Sequence, residues 1–413
     1  MNFLPVGLVV MHNQTSHLRQ WVVCWRCSLL KILNFVSSGQ QNCNVMDVND
    51  APKISQSPGS IFDKVSQDEH EQVVYCYDKA TGLKAIIAIH NTALGPALGG
   101  TRIWDYAHDE DALIDVLRLA KGMTYKAALA NLELGGGKAV IMGDVRQVKT
   151  EALLRRYGRF VDALHGRYIT APDVNTNMYD MATIAQETQY VQSLPSVQGG
   201  SDDPSPFTAY GTYMGIKAAV KKVYGTDHLK GKKIGVEGVG KVGTHLIGRL
   251  RKEGAQVYVT DVAQAGLVAI AQAHQVHIVQ PELFYDLPLD VYAPCALGAT
   301  LNDATVARLQ CKIVAGAANN QLEDGQRHGR LLFDQGIVYV PDFLINAGGL
   351  INVYTGMYYT YSGELAYQHV ERIYDTCLEV LNRSEKEHIP PSVVAENLAE
   401  ERIHNTQNAP LHA

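Results

Sequence analysis

From Lys233 onward the chain alternates short apolar runs with amphipathic stretches, and that alternation leaves few folds open. Segments 233–237, 256–260, 277–279, 290–293, 312–315 and 336–340 read as strands, with helices at 240–253, 265–274 and 303–309 between them. Strands joined through helices pair in parallel and need both faces covered. The first strand runs into Gly238-Val239-Gly240-Lys241-Val242-Gly243-Thr244. GxGxxG alone is a weak signal, common in glycine-rich loops, but here a strand precedes it and an amphipathic helix follows. The first glycine permits the tight turn, the second lets backbone approach a pyrophosphate, and the third lets helix and strand pack closely. Asp261 ends the next strand, where an acid accepts hydrogen bonds from an adenosine ribose and repels a 2′-phosphate, so NAD is expected over NADP. A plain turn residue at a strand end is the bland alternative for Asp261.

The N-terminal half carries a different pattern. Strands are expected at 73–77 and 83–90, and a helix begins at Asp109 with Leu113, Val116, Leu117 and Ala120 at helical spacing. The helix runs into Lys121-Gly-Met-Thr-Tyr-Lys126. Residues 132–137 are expected to break it, with Gly135-Gly-Gly as a backbone turn, before a strand at 138–143 that starts with Lys138. A helix at 151–164 and a strand at 168–171 follow. Lysines are ordinarily solvated, but Lys126 and Lys138 stand among Ala, Leu and Gly, where lost hydration lowers a lysine pKa and makes it a base. A second lysine nearby would depress that pKa further. Asp173, at a strand end, adds a proton relay; its bland role is to cap a helix at 175–185.

Composition sets the limits. The 413 residues are 46% hydrophobic and 19% charged, enough for sizeable cores, and suggest two domains. A net charge of −6 offers no footprint for nucleic acid or an anionic membrane, and neither is expected as a partner. Seven scattered cysteines fit a reducing cytoplasm better than a disulfide framework. Cys24-Trp-Arg-Cys27 is a lone CxxC, and no metal-ligand cluster appears. The apolar stretches in residues 1–60 are short or interrupted by Arg26 and Lys31, which leaves open a signal peptide, a targeting segment, or translation starting at Met46; the last is the expectation.

Several stretches resemble the Glu/Leu/Phe/Val amino-acid dehydrogenases, with leucine dehydrogenases nearest. They are Gly95-Pro-Ala-Leu-Gly-Gly-Thr-Arg102, Leu117-Arg-Leu-Ala-Lys-Gly-Met-Thr-Tyr-Lys126, Gly135-Gly-Gly-Lys138 and Asp203-Pro-Ser-Pro-Phe-Thr-Ala-Tyr-Gly211. Tyr292-Ala-Pro-Cys-Ala-Leu-Gly298, Ala317-Ala-Asn-Asn-Gln-Leu322 and Pro341-Asp-Phe-Leu-Ile-Asn-Ala-Gly-Gly-Leu-Ile-Asn-Val353 complete the series, which extends from Phe62 to Arg402.

The resemblance implies an α/β protein of two domains: a substrate and oligomerisation domain at 61–200 and a Rossmann NAD-binding domain at 201–377. Helices from about 378 to 413 return to the first domain, and residues 1–60 form an extension or linker without counterpart. It implies reversible oxidative deamination of an L-amino acid to its 2-oxo acid and ammonia with NAD, in a homo-oligomer, commonly an octamer. Lys126 would bind the substrate carboxylate, Lys138 activate the attacking water, and Asp173 exchange protons with the amino group. Thr208 and Asn319 would contact the nicotinamide end, and 238–244 the pyrophosphate. Glutamate-specific relatives carry a lysine where this chain has Leu98; with Ala171, Leu350 and Val353 it would line an apolar side-chain pocket. Such a pocket penalises a buried carboxylate and suits leucine, isoleucine and valine. Valine or phenylalanine dehydrogenase, or a silent NAD-binding homologue, are the alternatives. Three departures from the leucine-dehydrogenase pattern bear on substrate choice: Asn175-Thr-Asn177, the larger Leu350, and the tyrosine-rich 354–363.

Overall fold

Strand-rich and strand-helix segments sort into two separate sheets. The computed structural model describes residues 60–195, 203–296 and 298–407. The expected start at Met46 and the lone CxxC lie outside them.

The first sheet holds β1 (Gln72–Asp78), β2 (Leu83–Asn91), β3 (Ala97–Trp104), β4 (Gly135–Met142) and β5 (Tyr168–Pro172), in the order β1-β2-β4-β3-β5. β1, β2 and β4 are antiparallel neighbours, while β3 runs parallel to both β4 and β5. Two expectations fail here. β3 was not anticipated, because its Gly99-Gly100 pair reads as a loop. The triple glycine is not a turn: Gly135, Gly136 and Gly137 are buried residues of β4. The reason is close packing. A Cβ at Gly136 would lie 2.1 Å from the Thr124 backbone nitrogen, and one at Gly137 2.8 Å from the Tyr168 ring. The glycines let the helix Asp109–Leu129, which carries Lys126, settle directly on the sheet.

That helix buries the anticipated Leu113, Val116, Leu117 and Ala120 and opens on three acidic residues that suit its positive end. The C-terminal helix Pro391–Gln407 packs against it, as the resemblance implied. Tyr125 donates to Glu400 at 2.7 Å, and the Arg402 guanidinium donates to the carbonyls of Ala127 and Ala128 in the last turn of the helix and of Leu132 just beyond it.

The second sheet is all parallel: β6 (Lys233–Glu237), β7 (Gln256–Thr260), β8 (His277–Ile278), β9 (Val291–Pro294), β10 (Ile313–Val314) and β11 (Val338–Tyr339), in the order β11-β10-β9-β6-β7-β8. This is the doubly wound arrangement, whose order reverses at β6, the strand that feeds the glycine loop. Helices Gly325–Asp334 and Gly348–Tyr358 were not anticipated, and two further helices, Gly363–Glu371 and Ile373–Glu387, follow them. The helix Ser205–Tyr224 lies against both Gly348–Tyr358 and Ile373–Glu387. No helix among the described residues is long and apolar enough to cross a membrane.

The contact between Gly348 and the start of Ser205–Tyr224 tolerates no side chain, since a Cβ there would sit 2.0 Å from the Phe207 carbonyl oxygen. Gly348→Ala is expected to lose about 1–3 kcal/mol of stability, read by thermal or denaturant unfolding.

Candidate functional site

Four segments bring charged side chains to one place. Lys138 stands in β4 opposite Ala88 of β2 and is only 5% exposed. Asp173 follows the last residue of β5. Their side chains meet at 2.9 Å, Lys138 Nζ to Asp173 Oδ1. Arg102 of β3 donates from Nε to the other oxygen, Asp173 Oδ2, also at 2.9 Å. Lys126, on the helix above β4, reaches Asn319 Oδ1 at 3.4 Å, and Asn346 Nδ2 donates to that oxygen at 2.8 Å. Asn319 and Asn346 come from the half that holds the parallel sheet, so the two halves meet at Lys126.

Local chemistry fixes Asp173 tightly. Gly100 is required beside it, because a Cβ there would lie 2.6 Å from the Pro172 carbonyl oxygen and 2.7 Å from Asp173 Cβ. The Asp173 backbone N–H donates to Thr176 Oγ1, whose hydroxyl donates to the Thr101 carbonyl, each at 2.8 Å. Asn175, at φ +63°, donates to the Ile103 carbonyl at 2.9 Å. The cap of helix Met178–Ile184 is Asn177, not Asp173, so capping does not account for the acid, and the helix is shorter than expected. Asn175 and Thr176 thus pin the loop along β3, while Asn177 caps the helix that follows; Asn175 and Asn177 are the two positions that depart from the leucine-dehydrogenase pattern.

The charges shape one another. Burial alone would raise the Asp173 carboxyl, but the Lys138 ammonium and the Arg102 guanidinium outweigh it and hold its pKa down at about 2. Burial lowers Lys126 to about 8; the Asp342 carboxylate opposes that fall and Lys138 adds to it. The expected depression of one lysine by the other is therefore found, on Lys126. Asp342 accepts from the backbone N–H groups of Gln321 and Phe343, and burial pushes its carboxyl up.

Leu98, Leu350 and Val353 are buried and belong to one apolar cluster. Ala171 is buried as well, on β5 in register with Gly100 of β3, and lies outside that cluster. Ile169, in register with Leu98 and two residues before Ala171, joins the cluster; no motif pointed to it. Of the tyrosine-rich segment, Tyr361 donates to Asn352 at 3.0 Å, while Tyr358 and Tyr359 are exposed.

The nucleotide motif is built as a cradle. Gly238 has φ +99° and its N–H donates to the Thr260 carbonyl at 2.8 Å. A Cβ at Gly243 would lie 2.0 Å from the Gly238 carbonyl oxygen, whereas one at Gly240 would meet nothing within 4 Å. The third glycine therefore serves packing and the second leaves room for a phosphate group at the start of helix Lys241–Lys252. Val242 packs on the core. Thr244 donates to the Val239 carbonyl at 2.9 Å, and Lys241, largely exposed, pairs with Asp203 at 3.1 Å. Asp261 accepts from the N–H groups of Val239 and Ala263, each at 2.8 Å, so it braces the loop. Thr208 stands in the first turn of Ser205–Tyr224, near Gly349, where a Cβ would come within 2.7 Å of its hydroxyl. These residues fit a dinucleotide.

Sequence reasoning assigned no role to Arg102, Asn346, Asp342 or Asp115. Arg102, Asn346 and Asp342 lie inside the motif stretches, but with β3 unread as a strand no local signal marked Arg102. Asp115 looked like one more polar residue of a helix.

Two family models match the chain: over residues 70–190 that of the Glu/Leu/Phe/Val dehydrogenase dimerisation domain, and over 259–409 that of Glutamate/Leucine/Phenylalanine/Valine dehydrogenase. The leucine dehydrogenase of Bacillus cereus is 51% identical over 84% of this chain and 95% of its own length. The valine dehydrogenase of Streptomyces albus is 46% identical over 82% and 93%. The crystal structure of L-tryptophan dehydrogenase from Nostoc punctiforme superposes with a TM-score of 0.74 at 45% identity, covering 84% of this chain and all of that one.

The loop geometry separates folding from cofactor binding. Gly243→Ala is expected to destabilise the protein in thermal unfolding, while Gly240→Ala keeps its stability and weakens dinucleotide affinity, measured by titration calorimetry.

Proposed function

The chain belongs to the Glu/Leu/Phe/Val dehydrogenase family and is an amino-acid dehydrogenase, and we propose that it oxidatively deaminates branched-chain L-amino acids, leucine foremost, with NAD as hydride acceptor. What carries this reading is that Leu98, Leu350 and Val353 are buried apolar residues of one extended core, in a chain whose Lys138 and Asp173 touch. A glutamate side chain placed there would lose hydration without gaining a countercharge. A branched aliphatic chain gains from burial, and since a methylene changes affinity by only about 1–3 kcal/mol, isoleucine and valine are substrates too.

The residues divide the work. Lys126 pairs with the substrate carboxylate, taking a new countercharge in place of Asn319 and the nearby Asp342. Asp173 takes a proton from the substrate ammonium, which leaves the amine lone pair able to expel the Cα hydride. The resulting cationic imine disfavours a second cation beside it. Lys138 then releases its proton to solvent, since Asp173 already holds the one from the ammonium, and as a neutral amine takes one from the water that attacks the imine carbon. Proton return to the nitrogen through Asp173 lets ammonia leave as the carbinolamine collapses to the 2-oxo acid. Oδ1 of Asp173 and Nζ of Lys138 stand 2.9 Å apart, within a single hydrogen bond of each other. Thr208 and Asn319 orient the nicotinamide end, 238–244 hold the pyrophosphate, and Asp261 selects against a 2′-phosphate.

We further infer a homo-oligomer, an octamer by family, assembled through the first sheet. The match of 70–190 to a dimerisation domain supports it, as do Tyr75 and Tyr77, exposed on edge strand β1. Cys76, Cys295, Cys311 and Cys377 are free thiols, in keeping with a cytoplasmic protein.

An NADH-absorbance assay over leucine, isoleucine, valine, phenylalanine, tryptophan and glutamate is expected to rank leucine first. Glutamate in first place would sink the apolar-pocket argument, and silence on all six would favour a non-catalytic homologue. Lys138→Ala should lose about 100-fold or more of kcat while still binding NADH, followed by fluorescence. Lys126→Ala should chiefly raise KM for leucine, by about tenfold to a hundredfold; near-native KM there would remove it as the carboxylate anchor.

A further inference from the structure

Behind the proposed proton-transfer pair stands a second layer of charge. Arg102 donates Nε to Asp173 Oδ2 and a terminal nitrogen to Asp115 Oδ2, both at 2.9 Å. Tyr106 donates its hydroxyl to the same Asp115 oxygen at 2.6 Å, and Arg118 reaches Asp115 Oδ1 at 3.1 Å. The Arg102, Asp115 and Asp173 side chains are each less than a fifth exposed. This is a bridge, because Arg102 belongs to β3, Asp173 to the loop after β5, and Asp115 to the helix that also carries Lys126.

We propose that Arg102 is a positioning residue for the reaction: it pins Oδ2 of Asp173, leaves Oδ1 as the oxygen that works with Lys138, and ties that carboxylate through Asp115 to the Lys126 helix. The inference rests on the reading of Asp173 as the group that exchanges protons with the substrate nitrogen.

The geometry supports a division between the two oxygens. A carboxylate has two faces of acceptor capacity, and a side chain turned so that either oxygen faced the substrate would spend part of its time misaligned. With Oδ2 held by a planar guanidinium, that rotation is closed off. The planar fork matters, since Nε and a terminal nitrogen point along different fixed directions and so hold two carboxylates at once. A lysine presents one ammonium on a flexible stem and cannot hold both in the same geometry.

Charge supports it too. The groups facing Asp173 are Lys138 from β4, Arg102 from β3, Lys126 from the helix above and the Tyr168 ring from β5; Asp115 and Tyr106 lie one step behind. Burial opposes ionisation of Asp173, and Lys138 and Arg102 together restore it. During the reaction Lys138 gives up its own charge, so Arg102 is the cation in direct contact with Asp173 that stays. Asp115 balances Arg102, and Tyr106, whose hydroxyl burial and Asp115 keep protonated, holds Asp115 in turn.

The test compares Arg102→Gln, Arg102→Lys and Asp173→Asn in the full-length enzyme, with leucine and NAD as the probe pair and steady-state kinetics across the acid range. For Arg102→Gln the expectation is a kcat about 100-fold or more below wild type, with KM for leucine near wild type because Lys126 is untouched. With one cation gone the Asp173 carboxyl rises by about 1–3 pH units, and the acid limb of the kcat profile moves to higher pH. Arg102→Lys should restore the acid limb, having the charge, and recover only part of kcat, lacking the fork. Should Arg102→Gln fail to fold, Arg102→Lys carries the test, and wild-type kcat in it overturns the proposal. An unmoved acid limb in a folded Arg102→Gln, or losses that follow only its folded fraction, overturns it as well. Turnover retained in Asp173→Asn sinks the reading of Asp173 and this proposal with it. Turnover lost there but kept in Arg102→Gln sinks this proposal alone.

Discussion

The cleft depends on how closely backbone lies on backbone across β3 and β4. At Gly99 a Cβ would fall 1.6 Å from the Gly137 carbonyl oxygen, and at Gly136 one would strike the Thr124 backbone. Gly100 gives the same clearance to Asp173. Without these side-chain-free positions the Lys126 helix would ride higher, and the loop after β5 would stand away from β3. The glycine cost in unfolded-state entropy is accepted where the gain is a short distance between charges. The glycines act by removing atoms, and the lysines and acid act only because those atoms are gone.

Short distance in a poorly hydrated place makes each charge depend on its partners. Asp173 would be drawn toward its neutral form by burial were it not for two cations, and Lys126 is drawn toward its own neutral form with Asp342 only partly opposing. These are strained assignments for structure alone, since an apolar pair of similar volume would pack there at less cost. Their persistence together in one cleft is what a catalytic site requires, where a carboxylate and an amine must be ready to exchange a proton on demand.

The parallel sheet was legible before any coordinates, because its strands alternate with helices at a period no other layer arrangement accommodates. The nucleotide loop was legible for the same reason, with Gly238, Gly243 and Asp261 each found in the turn, packing or strand-end position expected. The first sheet was read less well. β3 was missed and the triple glycine was read as a turn, since glycine signals turns in a local pattern. A strand of glycines forms only because β2, β3 and the Lys126 helix supply from outside the packing that its own side chains do not.

The sequence by itself determined the parallel sheet and the glycine loop, from residue types at fixed local spacing, and its resemblance to a known family implied the reaction class and the two-domain plan and proposed Lys126, Lys138 and Asp173 for the site. Which oxygen of Asp173 faces which cation, and which groups act on the Lys126 ammonium, were decided only by the tertiary structure. Arg102, Asp115 and Asn346 gained their places in the same way. Charge coupling depends on distances of about three ångströms between residues far apart in the chain, and no local pattern carries that distance.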